Sequence, residues 1–489
     1  MTIFNNLYLL SEGAFEVRLR ALCVENGIIT DILPAIKESD YPAARIIDMQ
    51  SAYLYPGFID THTHSFEGGL YSLGVDLSGS ANISEVLARI AGSRGKGNTS
   101  DTLFAWQLDE TKLAEKRLPT PAELDHVCPN RALILRRIDG HSCVLNSFAK
   151  ALVPNLETKA GILRGKENDK AVHYFHGRLS EEAILEAYQA AAQIALQGGF
   201  TGLHTMIGDA DYSIAHYALI RDNLSAFPIN FTLYPQSFNL RAAMDAGASR
   251  IGGCILADGS IGSETAALSE PYLNSQSRGT LYQSDQFWQD FITKATENGL
   301  QVAIHVIGDR AIRQINDIYL KIPQTAKLRH QLIHCEITDD QLISNIARSG
   351  AAAVMQPNFD LLWGGENGFY TSKLGLSRSM IMNRFASLSR QGVKVCGGSD
   401  WYITELNAAT SIRACLKHHN PGERLSHSQA VSIYTENAAW LSHEEQKRGK
   451  LEKGYRADFC LYSHPLDSET QKPELMAVAC RGELRYDKR

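Results

Sequence analysis

From Pro56-Gly57 to about residue 445 the chain alternates short apolar runs with longer amphipathic stretches. That alternation predicts strands lying parallel, each returning through a helix. Residues 180–197, SEEAILEAYQAAAQIALQ, read as one such helix, with Ser180 as cap, two glutamates in the first turn and Gly198 after its end. The strand GFTGLHTM (199–206) follows, and QVAIHVIG (301–308) is preceded by a helical stretch over 285–298. LILRRIDGH (133–141), LRHQLIHCE (328–336), AAAVMQP (351–357) and VKVCGGSD (393–400) read as further strands of the same kind. Thr338-Asp339-Asp340-Gln341 has the capping-box pattern for a helix ending at Gly350, and Ser426 opens another capped helix. With FAWQLD (104–109) and INFTLYP (229–235) there are more strand candidates than the eight of a (β/α)8 barrel, and these two are the ambiguous ones.

The ends differ from the middle. Residues 1–55 carry short β-branched, alternating segments broken by Gly27 and Pro34, which suit a small antiparallel sheet, and strands return from about 446. The expected division is a composite β domain from 1–55 and 446–489, and an α/β body over 56–445.

Composition narrows the function. The chain of 489 residues is 44% apolar and 21% charged, as globular proteins are, with a net charge of −6. No basic excess points to nucleic acid or an anionic membrane. No apolar run reaches a membrane-spanning length, and the first residues lack the charged and apolar parts of a secretory signal. The nine cysteines are scattered without a C-x-x-C pair, which suits a reducing, cytoplasmic setting. Residues 92–98, GSRGKGN, read as a flexible loop without phosphate-loop spacing. A small-molecule substrate is expected, and homo-oligomer formation is left open.

Asp60-Thr61-His62-Thr63-His64 is the sharpest chemical signal. Side chains repeat every second residue on one face of a strand, so His62 and His64 point the same way and can share a metal ion. Imidazoles suit zinc, iron or nickel better than magnesium or calcium. His305 and His334 each end a short apolar strand, and Asp400 follows the Gly397-Gly398-Ser399 turn after another. In a parallel barrel the carboxyl ends of all strands open on one face, where these residues would converge. For Asp400 the competing reading is a helix N-cap. His418-His419, in the polar stretch KHHNPGER, read as solvated, and Asp309 and Arg310 as a local ion pair or as support for His305.

PGFIDTHTH, VAIHVIGD, LIHCE and GGSD, in this order, resemble the metal-dependent amidohydrolase superfamily. LRRIDGHSCVLNS, ADGSIGSETAALSEPY and RGKLEKGYRADFCLY are similar to segments of its amidohydrolase family 3 branch, which includes N-substituted formamide deformylase-like proteins. The resemblance implies a distorted (β/α)8 TIM-type barrel beside a small β-sandwich-like domain built from both termini. It implies one or two divalent metals, Zn2+ first and Fe2+, Ni2+ or Mn2+ as alternatives. His62 and His64 would hold the more buried ion, His305 and His334 the second, and Asp400 would bind metal and carry protons. Where the branch has a bridging lysine this chain has Cys254, and where it often has arginine this chain has Glu264. Strand alternation puts Gly252, Cys254 and Leu256 on one face, making Cys254 a candidate thiolate ligand against the alternative of a small core residue. The expected chemistry is hydrolysis of an amide or other non-peptide C–N bond by metal-activated water, with Asp400 as general base and His141 holding the oxyanion or positioning its loop. Deamination, lactone hydrolysis, or metal binding without catalysis in a regulatory role are the alternatives. The stretch 357–385, with Phe359, Leu361, Leu362, Trp363, Phe369 and Tyr370, reads as an apolar lid or a subunit contact.

Overall fold

A computed structural model describes the chain except for residues 12–13, 17, 94–101, 139, 141, 157–160 and 209–213. His141 and most of the 92–98 loop therefore lie outside the described residues. Two compact units are present: Met1–His64 with Gln193–Arg489, and Ser65–Ala192.

The first unit carries the predicted parallel strands, in chain order β1 (Phe58–Thr63), β2 (Phe200–Ile207), β3 (Asn230–Pro235), β4 (Arg250–Leu256), β5 (Gln301–Val306), β6 (Gln331–His334), β7 (Ala352–Met355) and β8 (Val395–Gly397). They pair in parallel as two arcs, β3-β2-β1 and β4-β5-β6-β7-β8. A parallel bridge joins Thr63 at the end of β1 to Trp401 beyond β8. The β1, β2, β5, β6, β7 and β8 residues are all buried, as in parallel strands covered on both faces, and the polar ones among them, such as Asp60 and His62, are buried with the rest. INFTLYP belongs to this set as β3.

The helices between them start where the sequence predicts. Ser180 Oγ accepts the Ala183 N–H at the head of Glu181–Gln197, and Ser284 caps Asp285–Glu297. Ser426 and Gln429 form the expected capping box. In Asp340–Ser349 the cap is Asp339, whose carboxylate accepts the Leu342 N–H at 2.6 Å, while Thr338 is buried. A carboxylate is the stronger partner for a helix N-terminus, so the boundary moves one residue from the sequence expectation.

Both termini enter one eight-stranded sheet, ordered Glu483–Asp487, Leu475–Cys480, Phe459–Tyr462, Arg45–Pro56, Thr2–Ser11, Arg20–Glu25, Ile28–Pro34, with Ala14–Phe15 on Thr2–Ser11. It is mixed rather than antiparallel, because Thr2–Ser11 and Arg45–Pro56 pair in parallel. Phe4, Leu22, Leu54, Phe459 and Leu461 pack under it.

In the second unit a five-stranded sheet runs Ile162–Arg164, Ser142–Leu145, Ala132–Arg137, Thr102–Leu108, Val75–Asp76. FAWQLD and LILRRIDGH lie here and not in the parallel arcs. Ala132–Arg137 pairs antiparallel with Ser142–Leu145, a hairpin partner the apolar run itself does not reveal. Among the described residues no helix is long and apolar enough to cross a membrane.

Candidate metal centre

β1, β4, β5 and β6 and the turn after β8 bring their carboxyl-end side chains together. His62 Nε2 lies 3.3 Å and His64 Nε2 3.2 Å from Asp400 Oδ1. The His62 ring centroid is 5.5 Å from that of His64 and 5.3 Å from that of His334, and His334 is 4.4 Å from His305. Two triads, His62–His64–Asp400 and His62–Cys254–His334, each hold their ligand atoms within 4.8 Å of one another. A tetrahedral zinc with ligands at about 2.0 Å has ligand–ligand edges of about 3.3 Å. The two Asp400 distances match that edge.

Local structure makes the approach possible. A Cβ on Gly398 would stand 2.9 Å from His62 N and Cβ, so only glycine lets the turn after β8 pass this close to β1. Asp60 then clamps the two: its carboxylate accepts the Ser399 N–H at 3.0 Å and the His62 N–H at 3.0 Å. Asp400 sits at φ 55° and His334 at φ 71°, left-handed conformations that non-glycine residues adopt at a cost and that cluster at functional sites.

Cys254 reaches the cluster by a route that simple alternation misses. The β4–β5 register slips between Gly252 and Ile255, which pair with the consecutive Ala303 and Ile304. Gly252 (φ 95°) and Gly253 (φ 100°) carry this bulge, and a bulge beside a site re-aims a side chain. The sulfur turns to His62 and His334 while Leu256, expected on the same face, is exposed.

Sequence reasoning left Asp258 and Asp60 without a role. Asp258 is fully buried and accepts the N–H groups of Ile307, Gly308 and Ala267 at 2.8–2.9 Å, with an oxygen 3.7 Å from His305 Nδ1. It fixes the end of β5, the strand that carries His305, and faces that ring at ion-pair rather than hydrogen-bond distance. A buried Asp two residues before H-x-H, and one in the A-D-G-S run, were the available signals. Asp309 holds Ser269 through its backbone N–H at 2.9 Å and its hydroxyl, rather than pairing with Arg310. Glu264 pairs with Lys373 at 2.8 Å. The apolar 357–385 stretch divides: Phe359 stacks on His334 and Tyr370 is buried, while Leu361, Leu362 and Phe369 are exposed. His418 and His419 are not solvated. Both face Asp360, and their ring nitrogens also meet Asn383 O, Ser379 O and the Asn420 N–H at 3.0 Å. Burial under residues 357–383 decides this, and a polar-looking local sequence carries no sign of it.

Electrostatics follow from the packing. Burial opposes charge on His62, but Asp400 and Cys254 beside it outweigh this and raise it to about 9. His64 is likewise pushed up against burial by the same two groups. Burial would raise Asp400 and the Cys254 thiol; the facing imidazoles bring both well below their ordinary values. Burial, with His305 next to it, lowers His334 to about 4. Burial raises Asp60 and Glu336 to about 7. Both nitrogens of His62, Nδ1 of His305 and of His334, and Oδ1 of Asp400 are buried with no hydrogen-bond partner. Buried polar atoms are rarely left so. Clustered lone pairs on imidazole, thiolate and carboxylate fit a divalent cation, which competes with protons for these atoms.

The amidohydrolase family profile matches residues 45–483. The chain belongs to the amidohydrolase family. It is 27% identical to the Bacillus subtilis amidohydrolase YtcJ over 96% of each chain, and 23% identical to the N-substituted formamide deformylase of Arthrobacter pascens over 100% of this chain and 99% of that one. An uncharacterized metal-dependent hydrolase from Pyrococcus furiosus superposes with a TM-score of 0.79 at 24% identity, covering 95% of this chain and 100% of the other, which shows a shared mixed α/β fold. This amidohydrolase is thus a hydrolase acting on carbon–nitrogen bonds, and its family and its residue clusters support a divalent metal.

Proposed function

We propose that this amidohydrolase cleaves an amide or other non-peptide C–N bond of a small molecule, using water activated at a metal centre on His62, His64, Cys254, His305, His334 and Asp400. The observation that carries the reading is the 3.2–3.3 Å spacing of His62 and His64 from Asp400 Oδ1, with the His62 nitrogens and that oxygen buried and without hydrogen-bond partners. In this reading β1–β8 close into a distorted (β/α)8 barrel, residues 56–445 form the catalytic body, and 1–55 with 446–489 form the companion β domain. Imidazole and thiolate donors favour zinc over Mn2+, Fe2+ or Ni2+. Nine cysteines scattered along the chain, most of them buried, suit the cytoplasm.

A bound divalent ion supplies a lowered water pKa and polarises a carbonyl. The remaining work falls to the chain. Displacing the protons of His62 and His64 frees Asp400 to accept one from the attacking water and to pass it to the leaving nitrogen. Asp258 fixes the end of β5, which carries His305, and Asp60 keeps Asp400 against β1. Phe359, stacked 5.8 Å from His334, gives the site an apolar wall. His141 would donate to the oxyanion. Bridging by Cys254 would make the site a two-metal centre, since its sulfur neighbours His62 of one pair and His334 of the other.

The test is metal analysis together with turnover on formamides, N-acyl amino acids, cyclic imides and lactones. Metal-dependent hydrolysis of a C–N substrate is expected. A metal-replete protein that turns over only lactones, or nothing, overturns the proposal.

A further inference from the structure

A cleft of about 180 Å³ lies at the opposite end of the parallel strands from the metal centre, beside Asn230, the first residue of β3. Asn230, Thr232, Glu444, Arg448 and Arg481 give it polar walls, and Leu224 and Phe231 complete it. Arg448 is 2% exposed. One of its nitrogens donates to Glu444 at 3.0 Å, but Nε and Nη2 have no hydrogen-bond partner, and the nearest Asp458 oxygen is 3.7 Å from Nε. The guanidinium is seated where a side chain would otherwise stand, since a Cβ on Gly202 would meet Nη2 at 2.3 Å. Arg481 Nη2 reaches Asn230 Oδ1 at 3.1 Å, and Arg456 pairs with Asp458 at 2.9 Å. Arg448 and Arg456 thus face the two carboxylates Glu444 and Asp458, while the Arg481 guanidinium bonds the neutral Asn230. Burial and the proximity of Arg448 and Arg481, partly offset by the two carboxylates, lower the pKa of Arg456.

Buried donors without acceptors and an excess positive charge beside an open cleft are what an oxyanion satisfies. Arginine presents two parallel N–H groups to carboxylate or phosphate oxygens, and such charge-assisted bonds are the strong ones. We propose that this cleft is a binding site for a small oxyanion, a carboxylate or phosphate group held by Arg448 and Arg481, with Thr232 and Asn230 at its sides. It is separate from the hydrolytic site and from the C–N bond chemistry proposed for that site. Glu444 shares Arg448 with the anion and so opposes binding.

The experiment is calorimetric titration of the metal-loaded full chain with inorganic phosphate and with acetate, against chloride at matched ionic strength. Saturable binding of at least one oxyanion is expected, with chloride giving none. Arg481→Gln should weaken it roughly ten- to hundred-fold, the loss of one charge-assisted hydrogen bond. Thr232→Val, which leaves every charge in place, should weaken it less, and Glu444→Gln should tighten it. Asp400→Asn should leave it unchanged. No oxyanion binding beyond that of chloride overturns the proposal. So does binding that is lost in Asp400→Asn, because it belongs to the metal centre, or binding that is the same in the Arg481 and Glu444 variants as in the parent.

Discussion

Replacing Gly253 by alanine should disturb stability and metal binding together. A Cβ at this position would lie 1.9 Å from Met206 Sδ and 3.2 Å from its Cε, with the backbone at φ +100°. A non-glycine residue in so sparsely populated a conformation costs about 1–3 kcal/mol. Overpacking against Met206, which is 2% exposed, adds roughly 1–3 kcal/mol. The sum is about 2–6 kcal/mol. Relief requires the Gly252–Ile255 bulge to flatten, and flattening turns the Cys254 sulfur away from His62 and His334. Urea denaturation of the metal-stripped protein reads the strain, and the same measurement with metal, together with metal content, reads the lost ligand. Gly299→Ala is the control, because that glycine has φ +74° but nothing within 4 Å of its Cβ, so only about 1–2 kcal/mol of backbone strain is expected. A Gly253→Ala protein no less stable than the control variant, and with full metal content, would refute this account of how β4 aims its cysteine.

Asp400→Asn keeps the shape but removes the proton acceptor, so turnover should fall about 10²–10⁴-fold in protein that retains its metal; near-normal rates at full metal content would exclude the role. Cys254→Ser should lose at least one metal equivalent, and anomalous scattering from the parent should place a metal about 2.3 Å from sulfur; unchanged stoichiometry would return Cys254 to the core. In metal-stripped protein the folded-state value of His62 is raised from 6.5 to about 9, so its stabilising contribution is complete below pH 6.5 and is lost as pH rises through 9. That interval corresponds to roughly 3 kcal/mol. Asp60 and Glu336, raised to about 7, change stability in the same direction but have finished by about pH 7. The fall from pH 7 to 9 should therefore follow His62 and His64, made shallower by Cys254, whose lowered thiol contributes stability that grows as pH rises toward its ordinary value, and saturating zinc should flatten the fall; an unchanged slope in metal would contradict ligation by these histidines.

Much of the centre was written in short stretches of chain. His62 and His64 stand two apart in a strand, and a strand's own geometry puts both on one side. His305 and His334 end apolar runs, and a polar residue there marks where a buried strand meets an open end. Caps such as Ser180 and Ser426 bind backbone groups only three residues away, so their positions were legible too. Each of these depends on interactions spanning a few residues.

Other features depend on partners far away in the chain. FAWQLD and INFTLYP look alike as strands, yet one pairs within the Ser65–Ala192 unit and the other with β2, because an apolar run specifies burial and not its neighbour. The aim of Cys254 depends on a register slip against β5, some 50 residues on, which period-two alternation cannot contain. His418 and His419 look solvated until residues 357–383 cover them and Asp360 supplies the charge. Asp60 and Asp258 acquire their work only when distant backbone N–H groups arrive to be accepted. The sequence by itself determined which side chains this protein offers to a metal and on which strand ends they stand. Tertiary structure decided which of them meet and how their charges balance, because strand register and desolvation are properties of the assembled fold.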